Sequence, residues 1–153
     1  MSQTTTVSTS NSRFVETDVS KIFLFNRESL KATLYFDNYS GGTAVTLEPG
    51  TVLGRIASSD KVTPLDSSAS DGSQFPVGIL MQQVTVAANT IDSATEVYMC
   101  VAGDVAKGKI IFYNGTDTVA TVVSDRTLGD RIGADTVGIR LVPSTEMTES
   151  DNS

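Results

Sequence analysis

The sequence is informative first through what it lacks. It contains no His, no Trp and a single Cys among 153 residues. Without His, the chain can build neither a Ser-His-Asp triad, nor a Cys-His pair, nor a histidine metal site. One Cys can form no internal disulfide and no zinc site of several cysteines. We therefore expect no enzymatic activity of these classes, no bound metal and no cofactor.

Charge and hydropathy exclude two further classes of partner. The chain carries 11 Lys and Arg against 18 Asp and Glu, which gives a net charge of -7. Phosphate backbones bind basic surfaces, so this acidic balance predicts no direct contact with nucleic acid. No apolar stretch approaches the about 18 residues that a membrane-spanning helix needs. We therefore expect no membrane partner.

The two ends of the chain are polar. Residues 1–12 carry no charged side chain, and their one internal apolar residue is Val7. Such a segment buries too little apolar surface to offset its ordering entropy, so we expect a flexible N-terminal arm over residues 1–20. Four consecutive positions of the arm favour an extended backbone: Thr4, Thr5, Thr6 and Val7. The arm can therefore add a strand to another sheet edge. Residues 144–153 are typical of an acidic, solvated tail.

Residues 21–143 form one domain with the pattern of a β protein. Short apolar runs alternate with turns rich in Gly, Pro, Asn and Asp, and runs of this length predict strands. The runs span residues 22–25, 32–36, 44–47, 52–56, 77–81, 84–87, 97–102, 110–113, 119–123 and 137–142. The fold class we predict is mostly β, a small barrel-like or sandwich-like domain with at most one or two short helices.

Three local features can be placed more closely. Asn114-Gly115 lies between two apolar runs and predicts a hairpin. Residues 124–133 are the better helix candidate, with Ser124 or Asp125 as the cap, while residues 18–24 are a weaker one. Residues 58–74 are polar and contain a proline, which predicts a surface excursion with a brief strand near residues 61–65.

The motifs that suggest chemistry are incomplete. Residues 103–109 fit a phosphate-binding loop, but Ile110 stands where Ser or Thr must bind magnesium, and a strand follows instead of a helix. No Asp begins the Asp-Ser/Thr-Gly signature of aspartic proteases. A pair of carboxylates far apart in sequence stays open as a hydrolytic site. Cys100 lies between Met99 and Val101, which is typical of a buried small hydrophobe.

One part of the chain resembles a known family. Residues 50–86 read GTVLGRIASSDKVTPLDSSASDGSQFPVGILMQQVTV, and they are followed by a further apolar strand that ends near Gly103. The Pro64-Leu65-Asp66 step, the strand at residues 77–80 and the Gly103 turn are similar to those of the lambda-type head decoration proteins of tailed bacteriophages. The likeness extends over residues 50–142, and residues 21–47 have no counterpart that we can place.

The resemblance implies a role on the virion. Proteins of this family bind the outside of the expanded capsid as homotrimers at local threefold sites and stabilise the shell against DNA pressure. The partners it implies are the major capsid protein of a tailed phage and further copies of the chain, which is made in the host cytoplasm. It also implies that the arm orders against the capsid as an added strand. We expect Phe14 and Val15 to act as its apolar anchors.

Two other interpretations stay open at this point. A virion knob or fibre-type adhesion module would bind a host-surface saccharide through the aromatic residues Tyr35, Phe36 and Tyr39, which lie beside a Gly-rich turn. A hydrolase would need two carboxylates with perturbed pKa values in a concave pocket. The first predicts saccharide binding by the isolated protein.

Overall fold

A computed structural model describes residues 22–143, and within them the chain is mostly β with one α-helix. The strands are β1 (Phe23–Thr33), β2 (Phe36–Asn38), β3 (Val45–Leu47), β4 (Val52–Arg55), β5 (Val62–Pro64), β6 (Pro76–Leu80), β7 (Val84–Val86), β8 (Thr90–Asp92), β9 (Glu96–Ala106), β10 (Val122–Val123), β11 (Arg126–Thr127) and β12 (Gly138–Val142). A single 3₁₀ turn (Lys107–Lys109) follows β9, and helix α1 (Leu128–Asp135) precedes β12. The fold class predicted from the sequence is confirmed.

Strand β9 organises the main sheet. The six-stranded sheet has the order β1-β9-β6-β4-β5, with β12 also paired to β9. β1 runs antiparallel along one side of β9, from Phe23 opposite Val105 to Thr33 opposite Glu96. β6 and β12 pair with β9 as well, and β12 is the parallel partner. A strand has two edges, so β6 and β12 share the edge that faces away from β1.

The sheet closes on itself at one point, which gives it a barrel-like character. Leu34, directly after β1, forms a parallel bridge with Val62 of β5, the strand at the far end of the sheet. The Tyr35 amide donates a hydrogen bond of 2.8 Å to the Val62 carbonyl. Over Phe23–Thr33 itself, β1 pairs with no described strand other than β9. One edge of β1 is therefore left open beside this closure.

Both faces of the sheet are buried, so the domain has two cores. Adjacent residues of the central strands point to opposite cores: Leu80 packs in one and Ile79 in the other. The first core lies under the two small ribbons β2–β8 and β3–β7, which contribute Phe36 and Leu47. The second lies under α1, whose Leu128 and Ile132 are fully buried. Burial on both faces explains why the central strands read as continuous apolar runs.

The hairpin predicted at Asn114-Gly115 does not form. The Asn114 side-chain carbonyl accepts hydrogen bonds from the amides of Thr116 (3.2 Å) and Asp117 (3.0 Å), which turns the chain locally without pairing two strands. Of the run at residues 110–113, only Ile111 makes a β-bridge, to Thr51. The segment after Asn114 forms its short strand further along, at β10.

The hairpin in this region joins β10 to β11 instead. Val123 pairs with Arg126, and the two residues between them, Ser124 and Asp125, have φ values of 46° and 73°. Two consecutive positive φ angles are the signature of a type I′ turn. These two residues were the predicted helix caps, and that prediction is wrong because the turn uses them. The cap is Thr127, whose hydroxyl accepts from the Asp130 amide at 3.2 Å.

The excursion at residues 58–74 is held against the rest of the domain by strand pairing and by hydrogen bonds. Its brief strand is present as β5, and Ser73 near its end is 3% exposed. The Asp117 carboxylate, 8% exposed, accepts from the Ser67 hydroxyl at 2.6 Å and from the Ser67 amide at 2.9 Å. The Asn114 amide group donates to the same carboxylate at 2.8 Å. Asp117 therefore joins the excursion to the loop that follows the 3₁₀ turn.

Replacing this carboxylate is expected to destabilise the domain. Asp117→Ala leaves the Ser67 and Asn114 donors without their acceptor, which costs about 1–3 kcal/mol in free energy of unfolding. Burial raises the pKa of Asp117, but the hydrogen bonds from Ser67 and Asn114 outweigh it and hold that pKa below its ordinary value. The stabilisation is therefore present above the unfolded-state pKa of about 4 and is lost as pH falls through the lower folded-state pKa.

Chemical denaturation at pH 7 and at pH 3 measures this effect, with Glu28→Ala as the control, since Glu28 is exposed. The destabilisation by Asp117→Ala should shrink at the lower pH, and that by Glu28→Ala should be small at both. An equal destabilisation at both pH values would show that the carboxylate charge does not contribute.

Candidate functional site

The first and last described strands reach the same end of the sheet. β1 begins at Phe23, opposite Val105, and β12 ends at Val142, opposite Ala106. These strands flank β9 on its two sides, so their ends lie about two strand spacings apart, roughly 10 Å. The chain that precedes β1 and the chain that follows β12 are thus attached at one pole of the domain.

The outer edge of β1 is the longest open edge of the described domain. Its pairing with β9 is irregular between Phe23 and Ser29, where three register shifts occur, and regular from Ser29 to Thr33. Bulges of this kind bend an edge and limit unwanted pairing. Lys31 in the regular part forms an ion pair with Glu96, which raises the pKa of Lys31. Charged side chains along an edge strand resist uncontrolled association.

The predicted arm residues lie outside the described part of the chain. They are Thr4, Thr5, Thr6, Val7, Phe14 and Val15. What the structure supplies for them is a point of attachment, the start of β1 at Phe23. Their assignment as capsid-binding residues stays a prediction.

A groove lies on another part of the surface, and we call it the tyrosine groove. It has a volume of about 480 Å³ and is lined by residues of β2, β5 and the loops beside them. Its lining includes Tyr35, Phe36 and Tyr113 but not Tyr39, whose side chain is 67% exposed. The rings of Phe36 and Tyr113 meet edge to face, with centroids 5.4 Å apart. The aromatic cluster expected from sequence is thus divided, because only two of its three members line the groove.

Three carboxylates also line the tyrosine groove: Asp37, Asp66 and Asp71. Each uses its Oδ1 atom to accept the backbone amide of the residue two positions later, at 2.9 to 3.0 Å. The Ser73 hydroxyl and amide hold the pKa of Asp71 below its ordinary range. A hydrolase of the two-carboxylate type needs one carboxyl with a raised pKa as its acid. The hydrogen bonds from Ser73 shift the pKa of Asp71 in the opposite direction.

Cys100 lacks the features of a reactive cysteine. Cys100 is fully buried, its thiol donates to the Ala102 carbonyl at 3.2 Å, and burial raises its pKa. A thiol with a raised pKa is a poor nucleophile. Within residues 22–143, no group of three or more Cys, Asp or Glu side chains is arranged to hold a metal ion. No helix in that range is long and apolar enough to cross a membrane.

Sequence reasoning missed part of the tyrosine groove. The sequence predicts Tyr113 in a strand of a hairpin and Asp71 in a surface excursion. The signals that indicated them were present: Asp71-Gly72-Ser73 is a turn sequence, and Asn114-Gly115-Thr116-Asp117 can satisfy its own backbone. Their proximity to Tyr35 depends on the closure between Leu34 and Val62, which no local pattern reveals.

Comparison with known protein families gives a match over the centre of the domain. The family model described as bacteriophage lambda head decoration protein D matches residues 39–129, which is more than half of the chain. No curated protein matches the chain. The matched span runs from the end of β2 to the start of α1 and contains all of β9. β1 and β12, the strands beside β9 that lead to the two ends of the chain, lie outside it.

Proposed function

Because the chain belongs to the family of the bacteriophage lambda head decoration protein D, it is a structural protein of the phage head, and we propose how it acts there. It binds the outer surface of the expanded capsid as homotrimers at local threefold sites. Its partner is the major capsid protein of a tailed phage. Its effect is to stabilise the shell against the pressure of packaged DNA, with no enzymatic step. The observation that carries the proposal is the family match over residues 39–129.

The arm makes the main contact in this proposal. Thr4, Thr5, Thr6 and Val7 pair as an added strand with an open sheet edge of the capsid, and Phe14 and Val15 anchor the arm through apolar contacts. Strand addition suits an uncharged, β-branched segment because the backbone supplies the hydrogen bonds. The attachment of the arm at the start of β1, at one pole of the domain, supports a geometry in which one end faces the shell.

Trimer formation strengthens each contact through multivalency. Once one arm of a trimer is bound, the other two arms are held close to their own binding sites on the capsid. This raises avidity by factors of about 10²–10⁴ without any new contact. The acidic net charge of -7 supports a position outside the shell, away from the packaged DNA.

The stabilising role can be measured on heads filled with DNA. Heads that lack the protein are heated with and without the purified full chain, and DNA release is followed by the fluorescence of an intercalating dye. We expect saturating protein to raise the release temperature by several degrees, because a ligand that binds only the intact shell stabilises it. An unchanged release temperature on heads that carry the bound protein would contradict the stabilising role.

A further inference from the structure

We propose that the tyrosine groove is a binding site for neutral saccharides. This activity is separate from capsid binding and does not depend on it. The groove lies where the chain after β1 crosses to β5, between β2 and the loop at residues 66–73. The shape, the aromatic rings, the hydrogen-bonding groups and the charge of its lining each favour this class of ligand.

The size of the groove suits a small ligand. Its volume of about 480 Å³ lies within the range of small-molecule sites, about 300–1,000 Å³. Its lining comes from three separate stretches of chain, near β2, around β5 with the following loop, and at Tyr113 and Asn114. A groove of this kind can hold a short run of linked sugar rings.

The aromatic rings are held in position before a ligand arrives. Tyr113 is 43% exposed, and its ring is braced edge to face against Phe36, which is 8% exposed. Tyr35 is half-buried, and its backbone amide is fixed by the bond to Val62. A rigid aromatic face packs against the C–H face of a sugar ring, while the phenol hydroxyl stays free to hydrogen-bond. Such positioning lowers the entropy cost of binding.

The carboxylates supply fixed acceptors for sugar hydroxyls. In Asp37, Asp66 and Asp71 the hydrogen bonds all fall on Oδ1, and Oδ2 makes none to the described residues. Each side chain is thus oriented by its own turn and retains an acceptor atom. Sugars present neighbouring hydroxyl donors, which match acceptors arranged along a groove. Asp71 is ionised at neutral pH, as an aspartate of ordinary pKa is, and the hydrogen bonds from Ser73 lower its pKa further.

Charge narrows the class of saccharide. The lining contains three carboxylates and no Lys or Arg. Phosphorylated, sulfated or carboxylated sugars would be repelled, and so would nucleic acids. An apolar peptide would bury these charges without compensation. Neutral hydroxyl-rich chains satisfy both the rings and the acceptors, through C–H contacts with the rings and hydroxyl donors to the carboxylates.

Saturation-transfer NMR on the full-length protein tests the proposal with chitohexaose, cellohexaose and maltohexaose as probes. We expect at least one of them to give saturable transfer with a dissociation constant of about 0.1–10 mM, and an oligogalacturonate of similar length to give none. Tyr113→Ala and Asp71→Asn should each weaken that binding about tenfold. Tyr98→Ala is the matched control, because Tyr98 is 50% exposed but lies on β9, outside the groove.

Thermal unfolding of the variants shows that each is folded before binding is compared. If none of the three neutral probes gives saturable transfer, the proposal fails. It fails equally if Tyr98→Ala weakens binding as much as Tyr113→Ala does. Co-sedimentation with capsids is measured on the same variants, and Tyr113→Ala should bind capsids like the unaltered chain, so the saccharide site and the capsid role can fail separately.

Discussion

A variant that begins at Arg13 is expected to keep the fold of the full chain and to lose its binding to expanded capsids. The described residues begin at Ile22, and their first strand begins at Phe23. We expect removal of residues 1–12 to leave the fold intact, because that segment has one internal apolar residue, Val7, and buries too little apolar surface to form part of a core. The loss falls on the strand-forming positions of the arm, which the proposed contact needs.

The size of the effect follows from avidity. If each of three arms contributes one weak contact, removing all three removes the multivalent gain of at least about 100-fold. Binding would then fall below detection at micromolar protein. Far-UV circular dichroism and the midpoint of thermal unfolding should match those of the full chain.

The control for this experiment is a variant that ends at Pro143. It keeps the arm but lacks the acidic tail, which follows β12 and is therefore attached at the same pole of the domain. We expect it to bind capsids like the full chain. Equal saturation of capsids by the Arg13 variant and by the full chain would show that the arm is not the contact.

The second large effect is expected on stability, from Gly54→Ala in β4. A Cβ atom at Gly54 would lie 2.0 Å from the Ser73 carbonyl oxygen and 2.7 Å from the Ser73 Cα atom. The obstacle is backbone, and Ser73 is held by hydrogen bonds from its amide and hydroxyl to Asp71. The excursion must therefore move away from the sheet. We expect a cost of about 1–3 kcal/mol and a fall of about 3–10 °C in the unfolding midpoint.

Gly138→Ala is the matched control for this substitution. Gly138 also lies in a strand, β12, and a Cβ atom there would meet nothing within 4 Å. Its unfolding midpoint should stay close to that of the unaltered chain. A Gly54→Ala protein with an unchanged midpoint would mean that the contact between the excursion and β4 is loose.

The sequence predicts the strands that are buried on both faces. The apolar runs around Val52, Ile79 and Val101 are strands in the structure, as predicted. They are continuously apolar because adjacent side chains enter different cores. The polar strands were harder to find. The middle of β1 reads Arg27-Glu28-Ser29 and is exposed, so its pattern resembles a loop, although pairing with β9 makes it a strand. Strand β8 was missed for the same reason.

Turns were predicted from dipeptides, and their outcome depended on competing hydrogen bonds. Asn114-Gly115 has the strongest hairpin sequence, but the Asn114 side chain satisfies the amides of Thr116 and Asp117 and donates to the Asp117 carboxylate. Ser124-Asp125 has a weaker sequence but forms the type I′ turn between β10 and β11. The buried Asp117 residue determines the conformation at Asn114-Gly115, and the burial of Asp117 depends on the tertiary fold.

The two candidate sites, the arm and the tyrosine groove, differ in how much of each can be predicted from local sequence patterns. The arm is predicted from composition alone and stays a prediction, because residues 1–12 carry no charged side chain and one internal apolar residue, Val7, which is too little to form a core. The tyrosine groove needed the structure, since its rings come from residues 35 and 113 and its carboxylates from residues 37, 66 and 71. Closure between Leu34 and Val62 brings these segments together, and it depends on long-range pairing.

The central claim is that the chain binds expanded phage capsids at local threefold sites. Co-sedimentation of the full chain with expanded, undecorated capsids tests it directly, with unexpanded capsids of the same phage alongside. The account predicts saturable binding to the expanded form, at three copies for each local threefold site, and little binding to the unexpanded form. Absence of saturable binding to either form would contradict it, and so would a saturation level unrelated to the number of threefold sites.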